Sequence, residues 1–314
     1  LQRSSADQRL QRVRRPLTRR AAAYSSRLNA KAKAIWLDEE EASEEERESY
    51  RHYVQDISHT RRKLASLIQK ILLYKRHETK DQLMFGRLGS KLVQIVTEEK
   101  PRPFYKKNDP GREVDAAFIL LVDCSASMYD KMDETKKGIV LFHETLLELR
   151  IPHQITGFWE DAPVFGSADA CPNYFQTVVS FEQSLLPGAG ASIMKLAPQQ
   201  DNRDGFAVRE MTRLLINRGE KHKFLLVFSD GEPAAADYYE NGIMDTHRAV
   251  IEARRQGIEV IGVFLSGDGQ IHEEDRELMR SIYGHSNMIV PNAHELDSQL
   301  APLLRRLLQK AANT

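Results

Sequence analysis

Residues 117–127 read AFILLVDCSAS: six apolar residues, an aspartate, and then two serines spaced by two. An apolar run this short and uninterrupted fits a strand buried on both faces, since a strand with one wet face would alternate. A second such run, FLLVFS at 224–229, is followed by Asp230-Gly231-Glu232-Pro233. Working outward, strands are expected at 153–158, 174–180, 260–265 and 288–290. Amphipathic helices are expected at 133–149, 205–217, 245–256, 273–283 and 295–310. Apolar strands alternating with helices predict an α/β fold, a doubly wound, mostly parallel sheet with helices on both faces. In such sheets ligands bind just beyond the carboxyl ends of the strands.

Two buried strands therefore deliver Asp123 and Asp230 to one edge, and the first adds Ser125 and Ser127. Carboxylate and hydroxyl oxygens without a Cys or His set are hard ligands, suited to Mg²⁺, Mn²⁺ or Ca²⁺ rather than zinc. A third contributor is expected from the loop 199–205, QQDNRDG, where Asn202 or Asp204 could cap the next helix and face the ion. The plainer alternative is a turn with capping serines. D-x-S-x-S alone is a weak signal; two strand-terminal aspartates make it stronger.

At these residues the chain resembles the von Willebrand factor A (VWA) domain with its metal-ion-dependent adhesion site, over roughly 113–312. The run from Ser229-Asp-Gly-Glu-Pro233 through Asp237-Tyr-Tyr-Glu240 and Asp245-Thr-His-Arg-Ala-Val250 to Glu252-Ala-Arg-Arg-Gln-Gly-Ile258 is similar to NorD-type nitric oxide reductase activation proteins. Arg87-Leu-Gly-Ser-Lys-Leu92 and Asp201-Asn-Arg-Asp-Gly205 are similar to the cobaltochelatase subunit CobT. The resemblance implies Asp123, Ser125, Ser127 and Asp230 as metal ligands. Where many VWA domains have Thr, this chain has Asn202, with Asp204 as rival. It further implies a partner protein that supplies an Asp or Glu carboxylate, and a MoxR-type AAA+ ATPase as that partner. The expected function is a non-enzymatic, metal-dependent interaction scaffold in metalloenzyme activation or metal insertion. The alternative is a subunit of a cobalt or magnesium chelatase.

Composition bounds the rest. The 314 residues carry 45 Lys+Arg and 45 Asp+Glu, unevenly placed. Residues 1–37 hold ten basic residues against Asp7, and 38–48 hold eight acids against Arg47. Residues 1–42 read as a flexible arm, first basic and then acidic, with too little apolar surface to offset ordering entropy. Residues 43–112 read as a helical segment and connector, and 113–314 as the VWA domain. From 43 to 76 one long helix is expected, with Tyr50, Tyr53, Ile57, Thr60, Leu64, Leu67, Ile71 and Tyr74 forming a stripe, most simply a face packed on the same chain. A short helix at 89–96 and an extended connector should follow.

The longest apolar run, 116–122, is far below the ~18 residues of a membrane span. Two cysteines and no hydrophobic leader point to the cytoplasm, and the absence of Met at position 1 suggests sequence upstream. Nucleic acid is not an expected partner, because the basic stretch lacks aromatic platforms. No G-x-S-x-G, P-loop or H-E-x-x-H occurs, so no catalytic residue is assigned. Cys124 should point into the core, and Glu160-Asp161 should lie in a solvated loop.

Overall fold

The computed structural model describes residues 29–64, 66, 79–83, 87–88, 104–107, 114–161, 171–230, 233, 235, 238–265, 271–290 and 296–312. In chain order the elements are β1 (Ala32–Leu37), α1 (Glu44–Asp56), β2 (Thr79–Leu83), β3 (Arg87–Leu88), β4 (Phe104–Lys107), β5 (Ala116–Asp123) and α2 (Met132–Glu148). Then come β6 (His153–Glu160), β7 (Cys171–Val179), α3 (Asp204–Ile216), β8 (His222–Ser229), α4 (Tyr239–Arg255), β9 (Ile258–Leu265), α5 (Glu273–Tyr283), β10 (Asn287–Val290) and α6 (Leu296–Ala312). Single 3-10 turns lie at Ala126–Lys131 and Ala189–Lys195.

The main sheet has seven strands in the order β1-β7-β6-β5-β8-β9-β10. Every neighbouring pair is parallel except β6–β7. The doubly wound, mostly parallel α/β fold is thus observed. Along β5 all eight residues are buried, and alternate side chains serve opposite cores because a strand's period is two. Phe118, Leu120 and Val122 pack with α2, α6 and Tyr50, Ile57 and Leu64. Ile119 and Leu121 pack with α3, α4 and α5.

Several expectations need correction. The arm predicted for 1–42 is not an arm from residue 29 onward: β1 adds in parallel to β7, Ala32 opposite Cys171 through Leu37 opposite Gln176. Composition under-reads this strand because a sheet edge supplies hydrogen bonds that hydropathy does not count. Trp36 stacks on Phe175, ring centroids 4.8 Å apart. The boundary at 113 consequently does not separate the main sheet from what precedes it. The long helix breaks at Ile57, with helical residues resuming at 58–64. Its stripe does pack on the same chain through Tyr50, Ile57 and Leu64, while Leu67, Ile71 and Tyr74 lie outside the described residues. The segment read as connector carries a three-stranded antiparallel sheet, β2-β4-β3. The short helix expected at 89–96 lies outside the described residues. Among the described residues no helix is long and apolar enough to cross a membrane.

Candidate functional site

β5 and β8 end side by side, which brings Asp123 and Asp230 to the same edge of the sheet. Asp123 is fully buried, and three groups fix its carboxylate. The Ser125 amide donates to Oδ1 at 2.8 Å, and the turn through Cys124 makes this reach possible. Asn202 Nδ2 donates to Oδ2 at 2.8 Å, and the Ser229 hydroxyl donates to the same oxygen at 3.1 Å. The Ser125 and Ser127 hydroxyls, two residues apart, lie 3.0 Å from each other. Ser125 is buried and Ser127 faces solvent.

The third loop arrives as expected, and it contributes both candidates. Asn202 and Asp204 are buried, and the Asn202 amide bridges from Asp123 to Asp204 Oδ1 at 3.1 Å. Asp204 opens α3, but neither residue caps it; the cap position is Arg203, whose side chain does not bond the helix end. All six predicted site residues therefore converge on one edge.

Burial and, secondly, the charge of Asp230 push the Asp123 carboxyl up to about 7. Burial, then Asp123 and Asp230, likewise hold Asp204 well above the usual carboxylate range. Like charges confined in a low-dielectric pocket resist joint ionisation. Asp230 Oδ2 accepts from Lys131 Nζ at 3.2 Å, while its Oδ1 is buried with no partner among the described residues. An orphaned carboxylate oxygen beside two more buried carboxyl groups and a hydroxyl pair suits a hard cation. The acids are not drawn into a ready-made shell: among the described residues no group of three or more His, Cys, Asp or Glu is placed to hold a metal. Asn202 and Lys131 stand among the carboxylates instead.

Sequence reasoning missed what builds this edge. Glu160, expected in a solvated loop, is the last residue of β6 and buried. It receives Arg203 Nε at 2.5 Å and Nη2 at 2.9 Å, and Asn173 Nδ2 at 2.7 Å. Arg203 is wholly buried, its guanidinium 4.6 Å over the Tyr238 ring. A backbone bridge between Glu160 and Asp201 holds the same loop. Arg203 sits between Asn202 and Asp204, so this ion pair fixes both. Cys124 is buried as expected, with Sγ toward the Val122 carbonyl at 3.7 Å, and burial pushes its thiol up, away from reactivity.

Residues 188–305, which include the loop 199–205 and Asp230, match the family model for the cobalamin biosynthesis protein CobT VWA domain. The protein YojO of Bacillus subtilis (strain 168) is 49% identical over 283 residues, covering 90% of this chain and 44% of YojO. Protein NorD of Stutzerimonas stutzeri is 33% identical over 153 residues, covering 46% of this chain and 24% of NorD. The chain resembles the VWA proteins NorD and CobT. It spans less than half the length of the relatives it matches. Among solved structures, the von Willebrand factor domain of the type V pili tip protein Mfa5 from Porphyromonas gingivalis covers 65% of this chain and 98% of its own, at 8% identity and a TM-score of 0.47. The NorD- and CobT-like sequence, not that loose superposition, carries the resemblance.

Proposed function

We propose that the chain is a non-enzymatic scaffold that holds one divalent cation at this edge and recognises a partner protein through it. The buried, unpartnered Asp230 Oδ1 beside Asp123 and Asp204 carries this reading, because a cation would relieve a repulsion the protein groups leave standing. Asp123, Ser125, Ser127 and Asp230 would hold Mg²⁺, Mn²⁺ or Ca²⁺, with Asn202 or Asp204 contributing from the third loop. Bound there, the ion supplies a strong local positive charge for an Asp or Glu of the partner. The chain's own groups orient that site: Ser125 N–H, Asn202 and Ser229 hold the Asp123 carboxylate, and the Arg203–Glu160 pair holds the third loop.

Similarity to NorD and CobT supports a MoxR-type AAA+ ATPase as the partner, in the activation of a metalloenzyme inside the cell. The match to a cobalamin biosynthesis protein favours a second reading, a subunit of a cobalt or magnesium chelatase. A MoxR-type gene beside this one supports the first, and tetrapyrrole genes the second.

The test combines calorimetry and capture. Titration with Mn²⁺ should show one saturable site, lost in Asp123→Ala. Capture of a MoxR-type ATPase should fail with EDTA and in Ser125→Ala/Ser127→Ala, with an unchanged circular-dichroism spectrum. Wild-type capture by that folded double variant would overturn metal-dependent recognition.

A further inference from the structure

Lys131 ends the 3-10 segment Ala126–Lys131, whose cap position is Ser125 and which contains Ser127, so the same short stretch of backbone ties its position to both serines. Its ammonium lies 3.2 Å from Asp230 Oδ2, with the two side chains 19% and 8% exposed. The other Asp230 oxygen is buried with no partner among the described residues. One carboxylate thus has one oxygen already paired with a cation of the chain itself and the other buried without a hydrogen-bond partner among the described residues.

We propose that Lys131 is an internal competitor for Asp230 that sets the divalent-cation affinity of this site. The proposal rests on the cation reading above. An ion on Asp230 meets the ammonium in one of two arrangements. Either Lys131 stays, and two positive charges share one carboxylate at a part-buried position that salt screens poorly; or it leaves, and the Lys131–Asp230 pair is lost. Both arrangements weaken binding. Asn202, which stands between Asp123 and Asp204, is neutral and carries no such penalty. The lysine's flexible four-carbon stem gives the ammonium a path to solvent that a buried arginine such as Arg203 lacks.

The arrangement also couples the partner to the ion. A partner carboxylate that draws the ammonium off Asp230 removes the competitor, so partner and cation strengthen each other's binding by the same factor.

Calorimetry with Mn²⁺ on the full chain tests this, using wild type, Lys131→Met and Lys131→Arg, each checked by circular dichroism. Lys131→Met should bind at least about ten-fold more tightly, since a charge opposing the ion has been removed, and Lys131→Arg should stay near wild type. In metal-free buffer Lys131→Met should melt lower than wild type, and saturating Mn²⁺ should raise its melting temperature by the larger increment. Lys131→Gln serves the same purpose if the Met variant does not fold. Wild-type binding with no gain in either uncharged variant overturns the competitor role and leaves the cation site standing. No saturable binding in wild type or in a folded uncharged variant overturns the cation site and this inference together.

Discussion

Arg203 is the largest side chain that the fold buries completely, and its charge is tolerable only because Glu160 accepts it on both oxygens. Asn173 satisfies Glu160 from a second strand, and the Tyr238 ring covers the guanidinium face. Gly205 completes the corner: a Cβ there would stand 2.3 Å from Asp245 Oδ2 and 2.5 Å from the Tyr238 hydroxyl, so a side chain would expel this packing. Truncating one partner of a buried pair strands the other charge, which costs more than losing the pair whole. Arg203→Met should therefore lose about 3–5 kcal/mol in urea denaturation. The double variant Arg203→Met/Glu160→Gln should recover much of that. A double variant no more stable than the single would show that the stranded charge is not the cause. Legibility at this scale was split. Asp123, Ser125, Ser127 and Asp230 could be read because each ends or follows an apolar strand. Arg203 and Glu160 could not, because a charged residue in a sequence is expected in water, and only its distant partner makes burial affordable.

At the scale of elements, β1 is the informative case. Its six residues, AKAIWL, lie after an Arg-rich stretch and before DEEE, so their surroundings hide them. In the fold the strand gains a full parallel ladder on β7, a stacked Trp36–Phe175 pair, and an anchor at its entry, where Asn29 Nδ2 donates to Asp245 Oδ2 at 2.8 Å. Lys195 then secures the exit by donating to the Glu40 and Glu41 carbonyls at 3.0 and 2.9 Å. Removal of residues 1–37, which composition alone would permit, is expected to lower the melting temperature clearly. Trp36→Ala alone should cost about 1–2 kcal/mol, the scale of a half-buried aromatic. An unchanged melting temperature in the truncated chain would mean that β1 adds nothing to the sheet. The central strands were legible because burial on both faces writes itself as an unbroken apolar run. An edge strand is covered on fewer sides and leaves no such signature.

For the molecule as a whole, the packing of α2 against β6 builds in a response to acid. His143 and His153 are wholly buried, with Nδ1 and Nε2 respectively 2.8 Å apart, and His153 Nδ1 faces the Ile151 carbonyl at 2.9 Å. Burial lowers His143 to about 4; burial and then His143 lower His153 to about 3. Below the ordinary histidine value of about 6.5 the unfolded chain takes up these protons and the folded chain does not, so stability falls as pH drops from there toward 4. The loss should reach about 2–3 kcal/mol by pH 5.5, read as a fall in the urea midpoint. The double variant His143→Gln/His153→Gln should show a shallower fall; an equal slope would place the acid response elsewhere. Sequence by itself determined the layered α/β fold, the positions of its central strands and helices, and the acids and hydroxyls at their ends, because these follow from short-range periodicity and chain order. Only the tertiary structure decided that β1 joins the sheet, that Arg203 and Glu160 bury each other, that two histidines meet in the core, and that Lys131 reaches Asp230. Each of these is a pairing between residues 10 to 139 positions apart, and its energy exists only when both members leave water together.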